Sequence, residues 1–280
     1  MSKIAVIGII GNSVFLPVEK FHEGGETVEA SSVHFEIGGK GFNQAVAAAR
    51  CGAEVSFLGA VGKEYREDFK RFFEKEGIKA TLCYKDGSTA FAAILTDRAG
   101  VNRVTVHQGA ELCERDVDAF ADAIAGADML LLNNEVPREV NERAVELAHK
   151  NNVRVILNPA PARGYPEDFL DKIYLFTPNE FEEEGIENRD NVIMTLGERG
   201  CLIKSLDEII PARAYGRVVD TTGAGDTFNG VLCALLADGH RIDECARAAC
   251  AVASLEVTGK YALSSIPSAS EIEKIIKEII

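Results

Sequence analysis

Short apolar runs alternating with helical patterns constrain this chain more than any other feature. Ile4–Ile7, Val55–Leu58, Met129–Leu132, Val153–Leu157, Ile173–Phe176, Val192–Met194 and Cys201–Ile203 each read as a buried strand. Continuous apolar runs of this length mark a parallel sheet covered on both faces. Helical patterns lie between them at Asn43–Cys51, Glu67–Glu76, Arg115–Ala125, Pro137–Asn151, Asp226–Ala237, Ile242–Val257 and Ala269–Ile280. Pro137 suits the first position of its helix. The alternation predicts an α/β fold, a three-layer α/β/α sandwich around a mainly parallel central sheet.

Two stretches break the pattern, residues 11–37 and about 83–108. They hold mixed-polarity, strand-like segments at Thr27–Ala30, Val33–Glu36, Phe91–Leu95 and Arg103–Val106, and Asp97–Gly100 reads as a hairpin turn. We expect a small antiparallel β-sheet lid over the main body. Exposed strand edges invite pairing, so the lid is also the expected contact of a homodimer. With no repeat and no low-complexity linker, residues 1–280 read as one domain carrying a lid in two segments.

The bulk numbers exclude several classes of function. The 46% hydrophobic content of 280 residues is ample for a core. Net charge is −14 and no Lys/Arg run exceeds two residues, which argues against nucleic acid and anionic membrane as partners. The seven cysteines are odd in number, scattered and without C-x-x-C spacing, so they read as reduced thiols of a cytoplasmic protein. No apolar stretch reaches the roughly 18 residues of a membrane span, and Lys3 enters a strand directly, with no signal-peptide pattern.

Five stretches carry chemistry. Val219–Gly230 runs from a β-like segment through Gly223 and Gly225 into an apolar helix. Glycines there let a ligand approach the backbone, and the opening N–H groups of a helix attract an anion. Asp226 stands at the mouth of that anion site, placed to take a proton from an attacking hydroxyl. An anion cradle beside a base is what phosphoryl transfer requires. A second cluster, Gly38–Ala45, opens another helix; Gly39, Lys40 and Asn43 form a donor set suited to hydroxyls, or simply a tight helix start. Glu135 follows a strand end, where ligands of open α/β sheets bind, though taken alone it reads first as a helix-terminus carboxylate. Asn179 and Glu182 are spaced to hold a metal-bound water or a phosphate, or to cap a helix. Thr195–Gly200 is a glycine turn that covers a nucleotide or closes an ordinary hairpin.

Other chemistries lack their signatures. There is no G-x-x-x-x-G-K-[ST], no G-x-G-x-x-G and no nucleophile elbow, and the five histidines show no metal-like spacing.

Together the two glycine clusters resemble the two signatures of the ribokinase (PfkB) family of carbohydrate kinases. Gly25–Val28, Asn158–Ala162, Thr177–Glu180 and Thr195–Gly197 also fall in the family's order, so the resemblance spans nearly the whole chain. It implies an ATP-dependent sugar phosphotransferase with a β-lid that closes over the sugar. By that resemblance Asp226 is the catalytic base, and Gly223, Ala224 and Gly225, with the Asp226 amide, form the anion hole. Gly11, Ser13, Gly39, Lys40, Asn43 and Glu135 fall on the sugar site. Asn179 and Glu182 would organise Mg²⁺ through water, and Asn179, Thr195, Gly197, Gly200 and Gly225 would line the ATP site. Asp220 and Thr222 fall where the family holds an activating monovalent cation such as K⁺.

The chain departs from the family pattern at four places. Ser13 stands where ribokinases carry an aspartate that grips vicinal hydroxyls. Phe42 replaces a small residue, and would crowd the pocket or stack on a ring. The stretch between Asn179 and Thr195 is short by about one helix, with a polar connection at Glu183–Asn191. The segment Val257–Ala262 is irregular for the cation loop. The leading expectation is a kinase for the hydroxymethyl group of a ribose-like sugar. A nucleoside kinase, pseudouridine being one acceptor, is the alternative, with Phe42 as stacking surface. A non-catalytic sugar-binding protein is the third reading. A site built to hydrogen-bond hydroxyls discriminates by the partners it leaves unpaired.

Overall fold

A computed structural model describes residues 1–64, 66–98 and 101–280. The strands are β1 Lys3–Ile7, β2 Gly11–Pro17, β3 His34–Gly38, β4 Glu54–Val61, β5 Lys79–Tyr84, β6 Ala90–Thr96, β7 Asn102–His107, β8 Met129–Asn133, β9 Arg154–Asn158, β10 Leu175–Phe176, β11 Ile193–Thr195, β12 Cys201–Ile203 and β13 Glu208–Ile210. The helices are α1 Lys40–Arg50, α2 Arg66–Glu76, α3 Glu114–Ala119, α4 Ala121–Ala125, α5 Arg138–Lys150, α6 Glu167–Leu170, α7 Ala224–Ala237, α8 Ile242–Glu256 and α9 Ala269–Ile279.

Six strands form a wholly parallel sheet in the order β10-β9-β8-β1-β4-β5. Its strands are apolar on both faces because both are covered. Ile4 and Val6 of β1 enter a core shared with α1, α2, α7, α8 and α9. Ala5 and Ile7 turn to the opposite core, shared with α3, α4 and α5. The result is the expected three-layer sandwich. It places the C-terminal ends of β1, β8, β9 and β10 at one rim, beside the N-termini of α1 and α7.

Several expectations are corrected. Val192–Met194 and Cys201–Ile203 lie outside the parallel sheet, in an antiparallel unit β11-β12-β13. Only residues 196–200 join β11 to β12, and parallel neighbours need a crossover of a dozen or more residues. Isolated parallel bridges, Phe176 with Val192 and Asn179 with Thr195, attach this unit beside β10. The helix expected at Arg115–Ala125 is interrupted at buried Phe120, whose N–H turns to Val117 O at 3.0 Å. The helix expected from Asn43 begins three residues earlier, at Lys40.

The lid is a four-stranded sheet, β3-β2-β6-β7, and it is mixed: β2 pairs parallel with β6. Thr27–Ala30 is not a strand; only Val18 and Ala30 bridge there. Residues 79–84 belong to the edge of the main sheet, so the second lid segment starts at Ala90. Of the turn expected at Asp97–Gly100, Ala99 and Gly100 lie outside the described residues.

Candidate active site

Helices α1 and α7 cross at very close range. A Cβ on Gly230 would sit 2.3 Å from Gln44 O and 2.6 Å from Ala47 Cβ, so only glycine permits the crossing. The contact brings the first turn of α1 to the first turn of α7. Asn43 Nδ2 donates to Asp226 Oδ2 at 3.1 Å. Gln44 Nε2 donates to Asp226 Oδ1 at 3.1 Å and to Asn158 Oδ1 at 3.2 Å. Asp226 is buried, and desolvation pushes its carboxyl pKa up against the opposing pull of Lys40, Asn43 and Gln44. A more basic carboxylate is a better proton acceptor.

The turn into α7 shapes a candidate anion seat. Gly223, at φ 96°, caps the helix, and Thr227 N donates to Gly223 O at 2.8 Å. Ala224 N reaches Thr221 O at 3.4 Å, whereas the Gly225 and Asp226 amides have no acceptor among the described residues. Such first-turn amides carry the positive end of the helix dipole. A Cβ on Gly225 would meet no other part of the fold within 4 Å, so open space lies beside this first turn.

Behind the seat runs a buried polar relay. Asn229 Nδ2 donates to Gly225 O at 2.7 Å, Thr177 Oγ1 donates to Asn229 Oδ1, and Asn158 Nδ2 donates to Thr177 O at 2.8 Å. Asn158 closes the relay on Gln44. Sequence reasoning gave Gln44, Asn158, Thr177 and Asn229 no role. Their signal was available: each is a polar residue where an apolar run demands burial, and buried polar groups must find partners.

Gly39, at φ 117°, feeds the chain from the lid into α1; a Cβ there would fall 2.3 Å from Ile9 O. The Lys40 N–H donates to Glu135 Oε2 at 2.7 Å, and Glu135 N donates to Asn133 Oδ1 at 3.0 Å. Asp226 foremost, then Glu135 and Glu182, hold the Lys40 ammonium above its usual pKa against desolvation. One cation therefore faces carboxylates from both candidate ligand sites. Desolvation raises Glu135 to about 7, helped by Asp226 and opposed by Lys40.

The Glu135 shift gives a test. The folded protein keeps this proton up to about 7, whereas the unfolded chain releases it near 4.5. The folded state binds more protons between these values, so wild-type stability falls as pH rises through that window. Glu135→Gln keeps an acceptor for the Lys40 amide and removes the titration. Its Tm relative to wild type should therefore become more positive between about pH 5 and 8, by roughly 2–4 °C per kcal/mol. A difference independent of pH would contradict the burial argument.

The remaining acceptor-side residues lie in the lid. Gly11 passes so near β6 that a Cβ would sit 2.3 Å from Ala90 O, which accounts for the glycine by packing. Ser13 pairs across β2–β3 with Glu36, and its Oγ would lie 2.6 Å from a Cβ on Gly38, beside the entry to Gly39. Phe42 corrects its expectation. It is fully buried, packed edge-on against Phe57 and Phe73 at centroid distances of 6.4 and 5.7 Å. It points into the core, away from Asn43 and Gln44, and offers no surface to a ligand.

On the other flank, Asn179 N donates to Glu182 Oε2 at 3.0 Å, and Phe181 N donates to Asn179 Oδ1 at 2.8 Å. Thr195 N donates to Pro178 O at 2.9 Å, and Arg199 pairs with Glu180, so the 195–200 turn stands against this segment. Gly197 and Gly200 have φ of 57° and 92°; a Cβ on Gly200 would collide with Ile210 O. Asp220 Oδ1 accepts from Thr222 N at 2.9 Å and Thr222 Oγ1 at 2.7 Å, and Oδ2 accepts from Tyr261 N at 3.1 Å. Glu256, unremarked in the sequence, is buried with neither carboxyl oxygen hydrogen-bonded among the described residues. Its Oε1 lies 3.0 Å from the Cβ position of Gly223. Desolvation, reinforced by Asp226, Asp220 and Glu36, raises it to about 9.

Comparison with known proteins places this geometry. The pfkB family of carbohydrate kinases matches residues 1–269. A ribokinase of Haemophilus influenzae is 35% identical, with 96% of each chain covered. The structure of a Thermotoga maritima ribokinase superposes with a TM-score of 0.87 at 31% identity, over 99% of this chain and 100% of that one. An Arabidopsis thaliana ribokinase solved with ribose and ATP gives 0.84 at 25% identity, over 99% of both chains. The chain belongs to the pfkB family of carbohydrate kinases, phosphotransferases that act on an alcohol group of a sugar.

Proposed function

We propose that this protein transfers the γ-phosphoryl group of ATP to the hydroxymethyl group of a ribose-like sugar, as one kinase domain spanning residues 1–280. The observation that carries the reading is the Asp226 carboxylate. It is held on both oxygens by α1 and sits beside the open amides of Gly225 and Asp226. Asn43, Lys40, Gly39 and Glu135, with Ser13 and Gly11 from the lid, receive the sugar. Asp226 accepts the hydroxyl proton as oxygen attacks phosphorus. Gly223, Ala224 and Gly225 give the transferred phosphoryl room and N–H donors. Positioning and charge stabilisation account for most of such catalysis.

Thr195, Gly197, Gly200 and Asn179 flank the nucleotide. Among the described residues no three His, Cys, Asp or Glu side chains cluster as a metal cage. Asn179 and Glu182 would hold Mg²⁺ through water, and the ion would supply neutralisation of phosphate charge. Asp220 and Thr222 are assigned a monovalent cation such as K⁺ behind the anion seat, and the orphaned Glu256 carboxyl beside Gly223 supports a cation in this region.

The lid supports a homodimer. Phe35 and Phe91, 66% and 40% exposed, share the sheet face opposite Ser13 and Glu36. A cytoplasmic setting suits the seven unbonded cysteines. Among the described residues no helix is long and apolar enough to cross a membrane.

The burial of Phe42 withdraws one of the two supports of the nucleoside alternative, the stacking surface, and leaves only Ser13 in place of the aspartate. ATP consumption across free pentoses, hexoses and nucleosides tests the choice. Turnover with a free pentose is expected, and turnover with nucleosides alone would overturn the sugar reading.

A further inference from the structure

Glu36 lies in lid strand β3, two residues before Gly38 and four before Lys40. Its side chain is only 4% exposed. Oε1 accepts from Ala262 N at 2.9 Å and Leu263 N at 3.0 Å; Oε2 accepts from Ser264 N at 3.2 Å and Ser264 Oγ at 2.9 Å. Four donors from one short segment thus converge on one carboxylate. Nothing in the sugar, nucleotide or cation assignments uses it.

The segment it holds touches the phosphoryl side. Tyr261 N donates to Asp220 Oδ2, and Ala262 Cα lies 3.2 Å from the Cβ position of Gly223, the cap of α7. Val219 N donates to Val257 O at 2.8 Å, so the segment and the turn into α7 run together. Tyr261 adopts φ 70°, a conformation costly for a side chain of this size. It is kept there by its bond to Asp220 and by stacking on His34 of β3, with ring centroids 3.8 Å apart and planes within 6°. Phe15 of β2 packs on the same ring at 4.9 Å. Two lid strands therefore grip a segment whose far side forms the wall of the anion seat.

We propose that Glu36 is a positioning residue that couples the lid to the anion seat, so that sugar held under the lid and nucleotide at Gly223–Asp226 strengthen each other's binding. The inference rests on the sugar-kinase reading for the identity of its ligands. The carboxylate is matched to its place: these four partners are donors, and His34 Nε2 of the same strand lies 3.4 Å from Oε2. A glutamine would turn its NH₂ toward backbone N–H groups whichever way it faced.

The test measures the affinity of Mg²⁺–ADP with and without saturating D-ribose, in wild type, Glu36→Gln and Glu36→Asp. Coupling between sites is typically about 5–150-fold. Wild type should show it, and Glu36→Gln should fall to about one while each ligand alone binds within a few-fold. Glu36→Asp, which keeps the charge, should restore part of it. A purely structural role would lower Tm and leave the ratio untouched. Equal coupling in wild type and Glu36→Gln, or none in wild type, would overturn the proposal. Should Glu36→Gln fail to fold, Tyr261→Gly carries the test, because it relaxes the φ strain and releases the ring grip; unchanged coupling there overturns it equally. Absence of ribose-dependent turnover in wild type would instead count against the sugar reading. The coupling is then judged by amide hydrogen exchange at Thr221–Asp226 in the ligand-free protein, expected to be faster in Glu36→Gln. Unchanged exchange would sink it.

Discussion

Asp226→Asn should lower kcat by about 10²–10⁴-fold, the usual contribution of a positioned general base, while the protein folds and binds both ligands. The substitution preserves shape and places an amide where Asn43 and Gln44 now donate. Asn43 Oδ1 is buried without a partner, so this amide can turn and accept from the new N–H, while Gln44 stays held by Asn158. The change also removes a carboxylate whose ionised form is penalised by burial. It also strips the buried Lys40 ammonium of the carboxylate that foremost stabilises it, so the change in stability near neutral pH is the balance of these two opposing effects. ADP and sugar affinities within a few-fold of wild type, with turnover lost, separate the proton-accepting role from a binding role. Turnover retained within tenfold would remove Asp226 as the base.

Gly225→Ala should move stability and activity in opposite directions. Position 225 lies in the first turn of α7, and its φ is not in the left-handed region. A methyl group there meets no other part of the fold within 4 Å. Replacing glycine by alanine in a helix is worth about 0.5–1 kcal/mol, so Tm should rise by a few degrees. The same methyl group enters the open space beside this first turn. If the transferred phosphoryl group sits there, kcat should fall by about 10²-fold, the scale of losing one well-placed oxyanion donor. A variant as active as wild type would move the seat elsewhere on the helix. A variant that loses stability would show that the glycine answers to packing, as Gly230 does.

Much of this architecture was legible in the chain. Apolar runs such as Met129–Leu132 declare burial on both faces without any knowledge of their neighbours. The two glycine clusters declare helix starts open to ligand. What was not legible depends on partners distant in sequence. The parallel pairing of β2 with β6 joins residues nearly eighty positions apart, and nothing local distinguishes it from an antiparallel ribbon. The antiparallel β11–β12 hairpin was legible, and stood as one reading of Thr195–Gly200; placing its strands in the parallel sheet was the error, since a five-residue connection forbids a parallel neighbour. Phe42 was misread because its direction depends on where α1 begins. A start at Lys40 turns Phe42 to the core and Asn43 to the site.

The same limit applies within the site. Asp226 and Lys40 stand out by charge near glycines, and Glu135 by its place after a strand end. Gln44 stands beside Asn43 in an alanine-rich helix, and only the α1–α7 crossing reveals that it holds the other oxygen of Asp226. Glu36 and Glu256 look like ordinary polar residues of a strand and a helix end. Their burial against the turn into α7 comes from the return of the 257–264 segment, which sequence spacing does not disclose.

The measurement that bears most directly on the central claim is ³¹P NMR of wild-type protein turning over Mg²⁺–ATP with D-ribose. The account predicts a new phosphomonoester resonance coupled to the hydroxymethyl protons, growing in step with ADP and at least about 10²-fold slower with Asp226→Asn. Phosphate released as the free anion, or no signal beyond ATP, would contradict it.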